Sequence, residues 1–320
     1  MGTNYHPIIL TLFKRCLTSK EFPNCSKMIQ HRIFHNLLAA LINHCNYQNS
    51  SDSIQEFSSI AEALVNNSVC AESCSLYMTI VNGYYIMGRV DSLRLYSFLK
   101  QNAVLEKAYE HAVRDEKLIK KLGESDRNKQ FINTLDKLRP PCCSKHSLTE
   151  ILETWGVVQE QLAACYTLTN HSSFVQRGKW LLSAIKKYQD ALLLEPLSCN
   201  LYFRVGCGYA SWLKTKIEFG SEEVLTTDNI WLRNAELSWQ RALQTNLYFA
   251  DVYKQLVALY SYLGDHATDI SQKQRFMKLA HEKHEQLEML RYISKFVLLM
   301  RLSQQVINID FFGQEVHQNQ

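Results

Sequence analysis

Turn-making residues are scarce in this chain: eleven glycines and five prolines among 320 residues, under half of the ordinary share of about 12%. All-β folds need such residues at frequent intervals, so the shortage excludes a sandwich or barrel and favours long helices. A long apolar run is missing too. The most hydrophobic segment, Phe296 to Met300, is short and flanked by Lys295 and Arg301, which fits a helix face rather than a bilayer span. At the start, Ile8, Ile9, Leu10, Leu12 and Phe13 have no basic residue ahead of them and no small-residue cleavage site behind, so no secretory signal is read there. His6 stands where a myristoylation signal needs Ser or Thr. An intracellular protein, cytoplasmic or nuclear and not secreted, is expected.

An excess of charge of one sign is also lacking. Lys plus Arg number 35 and Asp plus Glu 31, a net charge of +4, and the basic residues do not cluster, so a dedicated nucleic-acid surface is not expected. The ten cysteines are too dispersed for a disulfide scaffold, and in an intracellular protein they stay reduced. Sequons such as Asn170-His171-Ser172 carry no meaning without secretion. Metal-ligand candidates are Cys70-x3-Cys74, Cys142-Cys143-x2-His146, His31-x3-His35 and His281-x2-His284. None has the CxxC spacing of a strong zinc site, although Cys142, Cys143 and His146 stand out for sitting in a linker. Phosphate loops and nucleophile elbows are absent from the sequence, and Gly206-x-Gly208 lies inside a helical pattern. The expectation is therefore a non-enzymatic chain without metal or cofactor.

What is present is an internal repeat. Ala184, Tyr188, Ala191, Tyr202, Val205, Gly206 and Tyr209 recur 51 positions later as Ala235, Trp239, Ala242, Tyr253, Leu256, Val257 and Tyr260. Ala184, Tyr188 and Ala191, spaced by four and three, share one helix face, with alanines for close approach and an aromatic ring between them. Pro196 stops that helix, and Tyr202, Val205, Gly206 and Tyr209 form one face of the next. The unit is helix, turn, helix, and stacked units of this kind build solenoids.

Ala184-x3-Tyr188-x2-Ala191-x4-Pro196, followed by Tyr202-x2-Val205-Gly206-x2-Tyr209, resembles the tetratricopeptide repeat across a repeat boundary. Leu256-Val257-x2-Tyr260-x3-Gly264-Asp265, Ile80-Val81-x2-Tyr84-Tyr85-x2-Gly88-Arg89 and Leu162-Ala163-x2-Tyr166 resemble further first helices. The resemblance implies an all-α helical-hairpin solenoid that binds a protein partner, a helix or extended peptide, in a groove lined by first-helix residues. By repeat register, Arg204, Lys254, Ser261 and Tyr262 are expected to line that groove. The family's clamp for acidic chaperone tails maps onto Glu160, Ala164, Arg204, Asp251 and Gln255, of which only Arg204 suits it. A chaperone tail is therefore not the expected partner.

The family repeat is 34 residues, so the longer offset places an insertion near 216–231 that is expected to serve as a specificity element. Nine further extra residues are assigned to Thr169 to Arg177. The organisation read from the sequence is a divergent helical-hairpin region over 1–139, a Pro-flanked linker over 140–149, and repeats over 150–267. One or two capping helices over 268–312 and a polar tail over 313–320 complete it. Tyr292, Phe296, Leu299 and Met300 on the capping region predict a docked subunit of a larger complex. The alternative reading is RNA binding, because Tyr77-x2-Ile80-Val81-x-Gly83-Tyr84-x3-Gly88-Arg89 also resembles the first helix of a pentatricopeptide repeat.

Overall fold

The computed structural model of the protein describes residues 6–48, 51–66, 74–123, 148–220 and 229–317. Among the described residues all regular structure is helical. The chain divides into two compact units, Met1–Pro196 and Leu197–Gln320.

The first unit holds α1 (His6–Thr18), α2 (Lys27–Gln48), α3 (Ser51–Val65), α4 (Cys74–Met87), α5 (Arg94–Gly123), α6 (Leu148–Ala164) and α7 (His171–Leu194). The second holds α8 (Cys199–Glu218), α9 (Ile230–Thr245), α10 (Ala250–His266) and α11 (Ile270–His317). Packing is closest between chain neighbours, α4 on α5, α6 on α7, α8 on α9 and α10 on α11. Each unit is thus built from repeated helical hairpins, the construction of an α-solenoid. No helix among the described residues is long and apolar enough to cross a membrane.

Polar residues set where these helices begin and end. Asn170 caps α7 through a reciprocal box, its side chain accepting from the Ser173 amide at 2.8 Å while Ser173 Oγ accepts from the Asn170 amide. Ser198 and Asn229 cap α8 and α9 in the same sense. Pro196 follows α7 and denies it a further backbone donor.

Two hairpins share one packing device. On α7, Ala184, Tyr188 and Ala191 are fully buried, as are Ala235, Trp239 and Ala242 on α9. The alanines let each second helix come close, and the ring between them lands on a glycine of the first helix. A Cβ placed on Gly156 of α6 would stand 2.4 Å from Tyr188 Cε1, and one on Gly206 of α8 2.4 Å from Trp239 Nε1. Real carbon atoms do not approach so closely, so only glycine admits the ring at this helix separation. The Trp239 indole N–H also donates to the Phe203 carbonyl at 3.2 Å, which fixes the ring's orientation. In the divergent part of the first unit the order is reversed, Phe57 of α3 lying against Gly83 of α4.

Around these seats the cores close. In the second unit, Leu213, Leu232, Val252, Leu259, Leu263 and Phe276 pack with Trp239 into one apolar cluster. Tyr260 joins it and donates its hydroxyl to Glu236 at 2.6 Å, and burial, then this carboxylate, push the phenol well above its ordinary pKa. In the first unit Asn102 Oδ1 on α5 accepts from Trp155 Nε1 at 2.8 Å and Gln159 Nε2 at 3.2 Å on α6. Lys187 of α7 places its ammonium 3.5 Å from the centroid of the Trp155 ring.

Several sequence expectations take a different form here. The first-helix pattern read at Leu162-Ala163-x2-Tyr166 is out of register, because α6 ends at Ala164 and its ring seat is Gly156. With that correction the two seats are 50 residues apart and their rings 51, and most of Thr169 to Arg177 becomes the start of α7 rather than an insertion. The capping region is one continuous helix of 48 residues, and Gly313 to His317, read as tail, belong to it. Of the 140–149 linker, Leu148 and Thr149 open α6 and the rest lies outside the described residues. The division between units falls at Pro196/Leu197, inside the segment 150–267.

A buried histidine gives the first unit a pH response. Gln30 holds the turn before α2 by donating its side-chain amide to the carbonyls of Phe22, Pro23 and Cys25. One residue on, His31 is buried and stacks on His35 at 6.3 Å. Burial, then the neighbouring His35, lower its pKa from 6.5. The unfolded chain therefore takes up this proton first on acidification, so the stability tied to neutral His31 is complete above about pH 6.5 and falls below it. The thermal midpoint is expected to drop between neutral and mildly acid pH, and His31→Phe to flatten that drop. An equally steep profile in His31→Phe would contradict the assignment.

Candidate functional site

Within the second unit, α8 and α10 are the first helices of successive hairpins and touch one another. Their inward residues fill the core, so the residues left over form a strip on each helix at three- and four-residue spacing. On α8 the strip is Arg204, Cys207, Ser211, Lys214 and Glu218, half-buried except for the exposed Glu218. On α10 it is Asp251, Lys254, Ala258, Ser261 and Asp265, with Tyr262 alongside.

The strips meet at Lys214 and Tyr262. The Lys214 ammonium lies 5.3 Å from the centroid of the Tyr262 ring, and the imidazole of His266 stacks on the same ring at 4.1 Å and 28°. His266 Nδ1 in turn lies 2.8 Å from the Tyr262 carbonyl oxygen, a hydrogen bond that fixes the imidazole. Burial lowers the Lys214 pKa, against the opposing pull of Glu218 and Cys207. The surface therefore carries a partly dehydrated cation on an aromatic platform, suited to a partner's carboxylate or carbonyl oxygens.

The four groove residues expected from register fall out as follows. Arg204 is half-buried on α8, and Ser261 and Tyr262 are half-buried on α10. Lys254 is exposed and pairs with Asp251 of its own helix at 2.7 Å. Tyr262 is joined to Lys214, which register reasoning passed over; the available signal was its place ten residues after Arg204, on the same helix face. Of the repeat positions, Ala184, Tyr188, Ala191, Gly206, Ala235, Trp239, Ala242 and Tyr260 are buried. Tyr202, Tyr209 and Tyr253 are half-buried, and Pro196 is exposed.

The insertion near 216–231 resolves partly into helix ends. Residues 221–228 lie outside the described residues, but the flanks meet: Lys216 Nζ is 5.5 Å from both the Trp212 and Trp231 rings, and Tyr209 lies 6.0 Å from Trp231. Cys142, Cys143 and His146 also lie outside the described residues. Among the described residues no group of three or more His, Cys, Asp or Glu is placed to hold a metal. His281 faces Glu285 at 3.4 Å on the surface of α11.

No family model matches the chain, and no curated protein matches it. A solved structure to which it is similar is a DHF58 filament, at 14% identity over 83% of this chain and 97% of that one. The TM-score is 0.15, and no argument is drawn from that likeness.

The Lys214 environment makes a stability prediction. Lys214→Met keeps the aliphatic stem and removes a charge that burial disfavours. Thermal unfolding is expected to show an unchanged or higher midpoint, the pattern of a residue retained for binding rather than for stability. A clear drop in midpoint would mean that the contact with Tyr262 outweighs the dehydration of the ammonium.

Proposed function

We propose that the chain is a non-enzymatic interaction scaffold, of tetratricopeptide type, that holds a partner protein's helix or extended peptide along the α8 and α10 strips. One observation carries the reading: the first helices of consecutive hairpins lie side by side, and Lys214 and Tyr262 join their polar strips into one surface. Repeated hairpins offer such surfaces in preference to the deep polar clefts that catalysis uses.

A docked-subunit role draws support from α11. Among its described side chains Phe276, Ala280 and Leu287 are buried, and beyond them Tyr292 and Phe296 are 79% and 60% exposed. Aromatic rings left in solvent on a helix favour a protein neighbour. The side chains of Leu299 and Met300 lie outside those described.

Affinity purification of the tagged chain from its own cells, with and without ribonuclease, tests the reading. A stoichiometric protein partner that survives ribonuclease and is lost with Arg204→Glu or Lys214→Glu is the expected result. Recovery of RNA with loss of all protein on ribonuclease treatment would overturn it in favour of a nucleic-acid role.

A further inference from the structure

A second surface lies on the first unit, where α3 and α5 flank α4. Polar side chains span the two helices. Tyr96 of α5 donates its hydroxyl to Glu62 of α3 at 3.1 Å and lies 2.9 Å from Ser58 Oγ, and Lys100 pairs with the same Glu62 oxygen at 2.7 Å. Lys100, then Tyr96, hold the Glu62 carboxyl below its ordinary pKa, so it is charged at neutral pH and the bridge is intact there.

The bridge divides the seam into two recesses. The larger, of about 450 Å³, is mostly apolar, with Ile54 of α3, Met87 of α4 and Leu93 before α5 among its lining, and the Gln55 amide and Ser58 at its rim. The smaller, of about 240 Å³, lies between Val65 and Tyr84 and carries Lys100 and Lys107. Its lining holds two ammonium groups against the single carboxylate of Glu62, and Lys107 is exposed and donates to the neutral Asn66 side chain at 3.2 Å. The smaller recess therefore keeps positive charge, whereas the larger has none.

The spacing of the recesses fits a helix. Ile54, Gln55 and Ser58 line the first and Glu62, Val65 and Asn66 the second, their midpoints between eight and nine residues apart, or about 13 Å at the helical rise. Side chains two turns apart on a helix laid along the seam, at i and i+7 or i+8, reach both recesses, and the residues between them would face the polar bridge.

We infer that the seam between α3 and α5 docks an amphipathic helix of a partner protein, with a bulky apolar side chain in the larger recess and a carboxylate, two turns away, beside Lys100 and Lys107. The apolar residue supplies the burial, and the acidic residue sets the direction in which the helix lies. This surface belongs to the first unit and does not depend on the α8 and α10 strips.

Selection of a phage-displayed library of helical peptides against the intact chain, followed by titration of the selected peptides, tests the inference. Enriched peptides are expected to carry Phe, Leu, Met or Trp with Asp or Glu seven or eight positions away. They should lose affinity at least about tenfold with Lys107→Glu and with Gln55→Trp. Both positions are solvent-exposed, so circular dichroism should show an unchanged fold. Replacing the peptide's acidic residue by Lys should restore binding to Lys107→Glu, a charge exchange that a merely structural role would not produce. Peptides without an acidic residue, peptides indifferent to both substitutions, or no enrichment at all would overturn the inference. Lys214→Glu should leave these peptides bound, which separates failure here from failure of the α8 and α10 surface.

Discussion

An aromatic ring pressed against a backbone leaves no room for a side chain, and that constraint sets how closely two of these hairpins close. Tyr188 over Gly156 and Trp239 over Gly206 each bring a second helix onto a first with an alanine a turn to either side of the ring. Each ring removes about 150–250 Å² from water, on the order of 4–6 kcal/mol as an upper bound on transfer alone. Where the ring sits decides which faces of the helices turn inward. The faces that remain, repeated from hairpin to hairpin, are the ones a partner can meet.

Charge is distributed to suit this arrangement. Some polar groups at the cores are bonded, as Asn102 is to Trp155 and Gln159, and Tyr260 to Glu236, whereas Ser97 Oγ and Gln101 Nε2 are buried with no hydrogen-bond partner among the described residues. Lys214 is different: it is half-buried at the edge of the core, and its ammonium lies over the Tyr262 ring. A lysine that burial disfavours, held on a surface between neighbouring first helices, is a poor choice for stability and a good one for recognition. The same logic separates Lys107, exposed beside a neutral amide, from Lys100, which its carboxylate satisfies.

Much of this architecture is legible in the sequence because it rests on short-range spacing. Ala-x3-aromatic-x2-Ala appears twice, Pro196 ends a helix by its own chemistry, and Asn170 and Ser173 form a local cap. What eludes sequence reading depends on contacts between helices. Gly156 goes unnoticed because Gln159 stands where the repeat has an aromatic residue, and Gln159 makes sense only beside Asn102, 57 positions away. Leu162-Ala163-x2-Tyr166 imitates the pattern seven positions too late, with Tyr166 past the point where α6 stops. Lys214 and the bridge from Glu62 to Tyr96 and Lys100 are likewise invisible until two helices are side by side.

The most direct test of the packing account is a double-mutant cycle on Gly206 and Trp239, read by equilibrium unfolding. Gly206→Ala alone should cost about 1–3 kcal/mol, because the new Cβ meets the indole. In a Trp239→Leu background the same alanine should cost far less, giving a coupling of about 1 kcal/mol or more. Additive effects of the two substitutions would contradict the claim that the ring and the glycine set the helix separation together.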